Sequence, residues 1–589
     1  MTTDTIPSRL FERAENTPYA PAYCVKEGGR WKPTNWRRYA GQVRSAGKSL
    51  MALGVGSKGA VSILGFNRPE WVIFDLAAMC VGAYAAGIYT TCSSEEVQYI
   101  VDHAEASVML VENEAQAKKV ADQRKNLPHL KLVVAMSGAG DLGDGVMSWE
   151  DFMAKGEEVE DAKFDEAVDA LKPDGLATLI YTSGTTGPPK GVMLTHENLA
   201  WTAAQLASTM DSREGDCVLS FLPLSHIAEQ MVTIHGPITF GGAAYYAESM
   251  EAVPANLKEV QPTIFFAVPR LWEKFHAKLV DKLGEATGAK VHLLKWVRSV
   301  CTQVSELKNR GQALPMALEV QYKLADRLVL SKLKPALGLS RARFCVSGAA
   351  PISKEILDFF ASLDVVIHEV YGQSEDTGPT TLNLNGRTKF GSVGPAVPGV
   401  EVKIAEDGEI MVKGKNVCAG YFKDPKATAE TFEDGWLHSG DLGEFDAQGY
   451  LNITGRKKDI IITAGGKNVA PKNIEAGLKD NRLINEAVVI GDRRKYLTAL
   501  VTLDEEAVTD FLSAKGGNGD ELSSNPAIVA EVTSAVDKVN STLAQVETIK
   551  KWTILPRNLT VEDGELTPTL KVKRKNVNEN FSSEIESMY

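Results

Sequence analysis

Short runs of apolar residues alternate with stretches of helical spacing along most of this chain. The runs at 61–64, 108–111 and 365–367 are rich in Val, Ile and Leu. Runs of this kind, separated by helical patterns, predict an α/β fold with mostly parallel sheets. Two more, at 176–181 and 192–194, flank a loop rich in Gly, Thr and Ser and predict a strand–loop–strand element. The most apolar stretch, 71–89, contains Asp75 and many Ala and Gly. It reads as a buried core helix rather than a membrane span. Between 278 and 335 the composition turns to Leu, Lys, Ala, Glu and Arg with helical spacing, as at Leu324, Leu328 and Leu333. That segment predicts a helical insert of structural role.

The pattern changes again at Gly455-Arg456-Lys457-Lys458-Asp459. Residues 449–454 read as a last strand before this boundary. Residues 460–462 start a new strand, and Gly465-Gly466 makes a turn. Runs at 486–491 and 497–503 suit a strand pair joined by a charged turn. The expected organisation is a large N-terminal domain, 1–454, with mostly parallel sheets sandwiched by helices. A hinge linker, 455–459, then leads to a small mobile C-terminal α+β domain, 460–589.

Composition narrows the class. A chain of 589 residues with 44% hydrophobic and 24% charged residues is that of an ordinary multidomain globular protein. A formal charge of −12 argues against a nucleic-acid partner. The seven Cys are scattered without Cys-x-x-Cys spacing, which argues against disulfides and zinc and fits a reducing compartment. Neither terminus carries a secretory, prenylation or peroxisomal pattern, so a cytoplasmic location is expected. Loose contact with a membrane stays open, as does the oligomeric state.

The most informative string is Tyr181-Thr182-Ser183-Gly184-Thr185-Thr186-Gly187-Pro188-Pro189-Lys190-Gly191. Glycines let backbone N–H groups approach an anion, hydroxyls add donors, and Lys190 adds a positive charge. The string is not the common P-loop, because Lys190 precedes Gly191 and no helix follows at once. By composition alone it is as readily a flexible surface linker.

Further strings follow in order. They are Leu222-Pro223-Leu224-Ser225-His226, Ser347-Gly348-Ala349-Ala350-Pro351, Tyr371-Gly372-Gln373-Ser374-Glu375, Gly435-Trp436-Leu437-His438-Ser439-Gly440-Asp441, Gly455-Arg456, Gly465-Gly466-Lys467 and Leu566-Thr567-Pro568-Thr569-Leu570-Lys571. Together with the first they resemble, over nearly the whole chain, the adenylate-forming superfamily. Val268-Pro269-Arg270-Leu271-Trp272-Glu273-Lys274 and the segment 461–466 make the chain most similar to long-chain acyl-CoA synthetases of the bubblegum type.

The resemblance implies an ATP-dependent ligase that joins a fatty acid to AMP, releases pyrophosphate, and passes the acyl group to CoA. It implies Mg²⁺ as cofactor, with ATP and CoA as cosubstrates. Thr182, Ser183, Gly184, Thr185, Thr186 and Lys190 would cradle the phosphates. Gly348, Ala349, Ala350, Tyr371 and Gly372 would surround adenine, with Ser374 toward the α-phosphate. Glu375 would hold Mg²⁺, Asp441 the ribose hydroxyls, and Arg456 the ribose and phosphate region. Lys571 would bridge the substrate carboxylate and the α-phosphate, with Lys190 and Ser374 also in catalytic roles. His226 would border the acyl pocket, Lys458 would be the hinge residue, and Gly465 and Gly466 would admit the CoA arm.

Taken singly, several of these residues read differently. Asp441 or Glu375 alone is a solvated acid, Lys571 alone belongs to a solvated basic run with Lys573 and Arg574, and His226 alone is a packed histidine. The ordered set overturns the reading for Asp441, Glu375 and Lys571, and His226 stays balanced between the two. Leu570 departs from the superfamily, where Gly commonly precedes the catalytic lysine, but the resemblance to the long-chain branch, in which a larger residue is common there, implies a mark of that branch rather than lost activity. Lys573 is a rival for Lys571. Two other outcomes fit the strings: a fatty acyl-AMP ligase serving a separate carrier protein, and an inactive nucleotide-binding scaffold. Luciferase-like oxygenation has no support in the residues.

Overall fold

The computed structural model describes residues 3–143, 145–182, 188–464, 467–515 and 522–589. Three sheets with mainly parallel pairing build most of the large N-terminal domain. The largest has seven strands, in the order Val146–Met147, Leu132–Ala135, Val108–Val111, Ala60–Leu64, Tyr84–Ile88, Leu176–Thr182 and Lys190–Thr195. Every neighbouring pair in it is parallel except the last. The parallel strands are buried on both faces, as at Ala60–Leu64 and Val108–Val111, which is why they read as continuous apolar runs.

A second sheet pairs Cys217–Ser220, Ala243–Tyr246, Pro21–Glu27 and Arg30–Asn35. A third pairs Ile264–Ala267, Phe344–Ser347, Ile367–Tyr371 and Thr381–Leu382. The fourth, built from strands between 401 and 456, is wholly antiparallel, a feature not read from the sequence. The C-terminal domain has its own sheet, Ile484–Ile490, Leu497–Leu503 and Ile549–Ile554, packed on helices. Its apolar clusters contain only residues from Ile461 onward.

Two sequence expectations shift. The stretch 71–89 is not one helix: Pro69–Cys80 is helical and Tyr84–Ile88 is a strand. Gly82, at φ 71°, lets the chain turn between them, with Gly82 N–H donating to Met79 O and Ala83 N–H to Ala78 O. The run at 365–367 belongs to a strand that starts only at Ile367. Asp364, at φ 59°, breaks the extended path before it. The insert is helical as expected, with helices Pro269–Gly284, Ala289–Asn309, Met316–Ala325 and Ser331–Leu337. Strand pair Ile484–Ile490 and Leu497–Leu503 is antiparallel across the turn that holds Asp492, Arg493, Arg494 and Lys495. Among the described residues no helix is long and apolar enough to cross a membrane.

Candidate active site

The hairpin Leu176–Thr182 and Lys190–Thr195 sets Thr182 directly across from Lys190. Ser183, Gly184, Thr185 and Thr186 lie outside the described residues. The Lys190 ammonium sits 4.6 Å from the centre of the Tyr421 ring. The Tyr421 hydroxyl donates to Glu375 Oε1 at 2.8 Å. Burial and the nearby Glu375 carboxylate both push the Tyr421 phenol up, so it stays a donor. Tyr421 thus couples the phosphate-loop lysine to the expected metal ligand. A lone Tyr far along the chain gave no signal for this.

Strand Ile367–Tyr371 delivers the next group into a tight loop. A Cβ at Gly372 would lie 1.5 Å from Gly378 O, so only glycine fits there. Gly378 N–H donates to Gln373 O, and Gln373 N–H to Asp376 Oδ1 at 2.6 Å. Burial raises the Asp376 carboxyl to about 8. Ser374 is buried beside this turn and Glu375 is half-buried. At the end of strand Phe344–Ser347, a Cβ on Gly348 would be 2.5 Å from Val370 Cγ1. Ala349 follows at φ 69°, in the left-handed region, and Ala349 and Ala350 are both exposed.

Asp441 is the hub of the third group. Its Oδ2 accepts from Tyr371 Oη at 3.0 Å and from Gln373 Nε2 at 2.6 Å, and its Oδ1 lies 3.2 Å from Arg456 Nε. Asp441 and Arg456 are register partners on adjacent antiparallel strands. A carboxylate offers about four lone-pair positions, and three neighbours already use this one. Gln373 also reaches Ser439 O at 2.8 Å, so it keeps a partner if a ligand displaces it from Asp441. Sequence reasoning quoted Gln373 within its motif without giving it a role.

Lys571 arrives from the C-terminal domain on a compact turn. Thr567 N–H donates to Lys571 O, Leu570 N–H to Thr567 O, and Lys571 N–H to Thr567 Oγ1 at 3.0 Å. Leu570 stands at φ 59° and is exposed. This is a conformation that favours glycine, so the Gly common in the wider superfamily would suit the turn better than the Leu present. Thr91 Oγ1 donates to Pro568 O at 2.8 Å and ties the turn to the large domain. Protein surrounds Lys571 in the cleft although its surface still meets water. That environment, with Arg456 and Lys472 nearby, lowers its ammonium to about 8, opposed by Asp441 and Glu375. Lys571 therefore feels both expected ligand-binding carboxylates. Beyond the turn, the Lys573 backbone N–H donates to Glu565 O at 2.7 Å.

His226 begins the short helix Ile227–Gln230, and its Nδ1 accepts from Ala228 N–H at 3.1 Å. Burial and then the Lys571 charge lower its ring to about 4, so it is neutral with the proton on Nε2. Lys458 is exposed, at the second inner position of the turn Arg456–Asp459, which Asp459 N–H closes on Arg456 O at 2.9 Å. Proline is disfavoured at that position. Gly465 and Gly466 lie outside the described residues. Among the described residues no cluster of three or more His, Cys, Asp or Glu could hold a metal by itself.

Fold and site together define a class, and the comparisons agree. Residues 10–422 match the AMP-binding enzyme family, and residues 458–589 match the AMP-binding enzyme C-terminal domain. The chain belongs to the AMP-binding enzyme family. It is 37% identical to the long-chain-fatty-acid–CoA ligase ACSBG2 of Xenopus laevis, over 96% of this chain and 81% of that protein. It is 36% identical to the long-chain-fatty-acid–CoA ligase FadD15 of Mycobacterium tuberculosis, over 100% of this chain and 97% of that protein. Among solved structures, the adenylation domain of a Mycobacterium chelonae carboxylate reductase has a TM-score of 0.76 at 20% identity, covering 99% of this chain and 91% of that one. The o-succinylbenzoate CoA synthetase MenE of Bacillus subtilis, solved with its acyl-adenylate intermediate, has a TM-score of 0.70 at 22% identity, covering 97% of this chain and 98% of that one. These two show the fold.

Proposed function

We propose that this protein is an ATP-dependent long-chain fatty acid–CoA ligase that works through an acyl-AMP. The observation that carries this reading is the meeting of Lys571, from the C-terminal domain, with the Asp441 and Glu375 side chains of the large one and with Arg456 at the linker. The full-length similarity to two long-chain-fatty-acid–CoA ligases supports the substrate class.

In this reading Asp441 takes the ribose hydroxyls, releasing Gln373 to Ser439 O. Tyr371 lies along adenine, with the open Ala349–Ala350 backbone opposite. Thr182 and Lys190 flank the phosphates. Lys571, charged below its pKa of about 8, draws the substrate carboxylate onto the α-phosphorus and offsets the charge that develops there. His226, neutral, borders the acyl chain without donating charge. The residues fit Mg²⁺: a single carboxylate, Glu375, with no competing ion pair among the described residues, matches an ion that takes few protein ligands and several phosphate oxygens. When bound, Mg²⁺ neutralises charge on the departing pyrophosphate.

The turn that carries Lys571 is tied to the large domain through Thr91 and Pro568, and thioester formation requires a second pose in which this lysine is withdrawn. Segment 455–459, with Lys458, is the proposed hinge between a large domain, 1–454, and a small one, 460–589. The separate apolar clusters support this division. So do polar contacts that cross it: Arg270 with Asp504 and Asn485, half-buried, and Arg482 with Asp281 and Lys538 with Glu355, exposed. Such pairs contribute little each and separate readily. The CoA arm is proposed to enter by Gly465 and Gly466.

The test is incubation with ATP, Mg²⁺, CoA and a ladder of fatty acids, with products read by mass. Acyl-CoA from long chains is expected. Acyl-AMP that accumulates without acyl-CoA would favour a carrier-dependent ligase. No pyrophosphate release with any chain would leave a scaffold.

A further inference from the structure

Helix Met316–Ala325 continues through a π turn, Asp326–Leu330, into Ser331–Leu337. Its inner face, with Leu318, Ala325 and Leu330, packs on Val297, Cys301 and Val304 of helix Ala289–Asn309. Its outer face carries Met316, Val320, Leu324 and Leu328, which are 83%, 63%, 47% and 44% exposed. The sequence pattern had suggested a structural role for Leu324 and Leu328, yet both point outward. Every fourth residue drifts slowly round an α-helix, and the wider π turn takes up that drift before Leu328. The result is one apolar row along the surface. The other exposed large apolar side chains among the described residues, from Tyr19 to Leu570, are spread along the chain, whereas these four share one helical run and mark a contact surface.

Charge indicates what covers it. Residues 289–337 hold nine Lys and Arg against three Asp and Glu, a net +6, in a chain whose net charge is −12. Arg327 and Lys332 are exposed on the same helical run, where Lys323, also exposed, pairs with Glu319 at 2.7 Å. The outer run itself, 316–337, carries four Lys and Arg against Glu319 and Asp326, so two copies of it bring like charge together, which disfavours self-association through it. A helix side that mixes apolar and basic residues suits a fluid anionic surface.

We propose that the outer face of 316–337 docks on an anionic lipid bilayer, with Met316, Val320, Leu324 and Leu328 entering the headgroup boundary and the lysines and arginines facing lipid phosphates. The insert links strands Ile264–Ala267 and Phe344–Ser347, and the second leads directly into Gly348 and Ala349. Docking there holds the adenylating layer near the membrane, where long-chain carboxylates partition. The link to substrate supply rests on the ligase reading, whereas the docking does not.

The test is cosedimentation of the full chain with phosphatidylcholine vesicles, with and without about 30% phosphatidylglycerol. The protein should pellet with the anionic vesicles at low salt and less at high salt. M316Q/V320Q/L324Q/L328Q should lower that binding roughly tenfold or more, because four apolar side chains leave the interface. R327E/K332E should weaken it on anionic vesicles only. Failure of the unaltered protein to pellet, or equal binding by both variants, overturns the proposal. So does a wild-type dimer, by sedimentation velocity, that the glutamine variant turns to monomer without vesicle binding by either. If the glutamine variant does not fold by circular dichroism, the charge-reversal variant decides alone, and unchanged binding then overturns the proposal. None of these readouts depends on turnover.

Discussion

Adenylation should lose its driving cation in mildly alkaline solution. Lys571 has its ammonium lowered from the ordinary 10.5 to about 8, chiefly by the protein around the cleft and then by Arg456 and Lys472. The sign is that of a base: the useful charged form dominates below the pKa and disappears above it. At pH 7 about 90% of the free enzyme carries the charge, and at pH 9 about 10%. kcat/KM for ATP, which reports the free enzyme, should therefore fall about tenfold between pH 7 and 9. An unperturbed lysine would give no fall over that range. The assay is pyrophosphate release at saturating fatty acid from pH 6.5 to 9.5, with circular dichroism to confirm folding. Asp376 is also held near 8 and lies next to Glu375, so it is the rival titrating group. Lys571→Arg separates the two, because arginine stays charged throughout. Its activity should be lower but flat with pH. A limb near pH 8 that survives in Lys571→Arg, or a flat profile in the unaltered enzyme, would refute the reasoning.

Leu570→Gly should keep activity and stability, since relief of a left-handed leucine, about 1–2 kcal/mol, roughly offsets the added freedom of glycine, about 0.5–1 kcal/mol; a tenfold loss of pyrophosphate release would show that the leucine itself is needed. Asp441→Ala should raise the KM for ATP, whereas Glu375→Ala should lose Mg²⁺-dependent turnover. Separate titrations of ATP and Mg²⁺ check this, and normal metal dependence in Glu375→Ala would remove its assignment. Arg270→Ala deletes contacts to Asp504 and Asn485 that hold the present pose. Acyl-AMP formation should slow about twofold to fivefold, the size of a partly exposed ion pair, without slowing thioester formation from supplied acyl-AMP. Slowing of both steps alike would count against the latch.

Much of this architecture was legible because local pattern and tertiary role coincide. Val108–Val111 is buried on both faces, and its apolar run marks the strand end to end. The hairpin around the phosphate loop is equally clear, since Thr182 and Lys190 are the ends of two apolar strands. Where a single backbone angle decides, the pattern failed: Gly82 splits one apolar stretch into helix and strand, and Asp364 delays another. Site residues carried by continuous motifs could be named in advance. Tyr421 and Gln373 could not be assigned, because their roles come from residues distant in sequence that meet only in the folded chain: Tyr421 lies 46 positions from Glu375, and Gln373 lies 68 from Asp441. The Leu570 departure was visible as a letter, but its positive φ was not.

The central claim is that one lysine of the small domain serves the first half-reaction and must leave for the second. The measurement is to time both half-reactions separately in Lys571→Ala: pyrophosphate release from ATP and fatty acid, and acyl-CoA formation from supplied acyl-AMP and CoA. The account expects the first to fall about 10²–10³-fold, the usual size of a lost transition-state donor, with the second within a few-fold of the unaltered enzyme. Near-normal pyrophosphate release, with Lys573→Ala inactive instead, or equal loss of both steps in a folded variant, would contradict it.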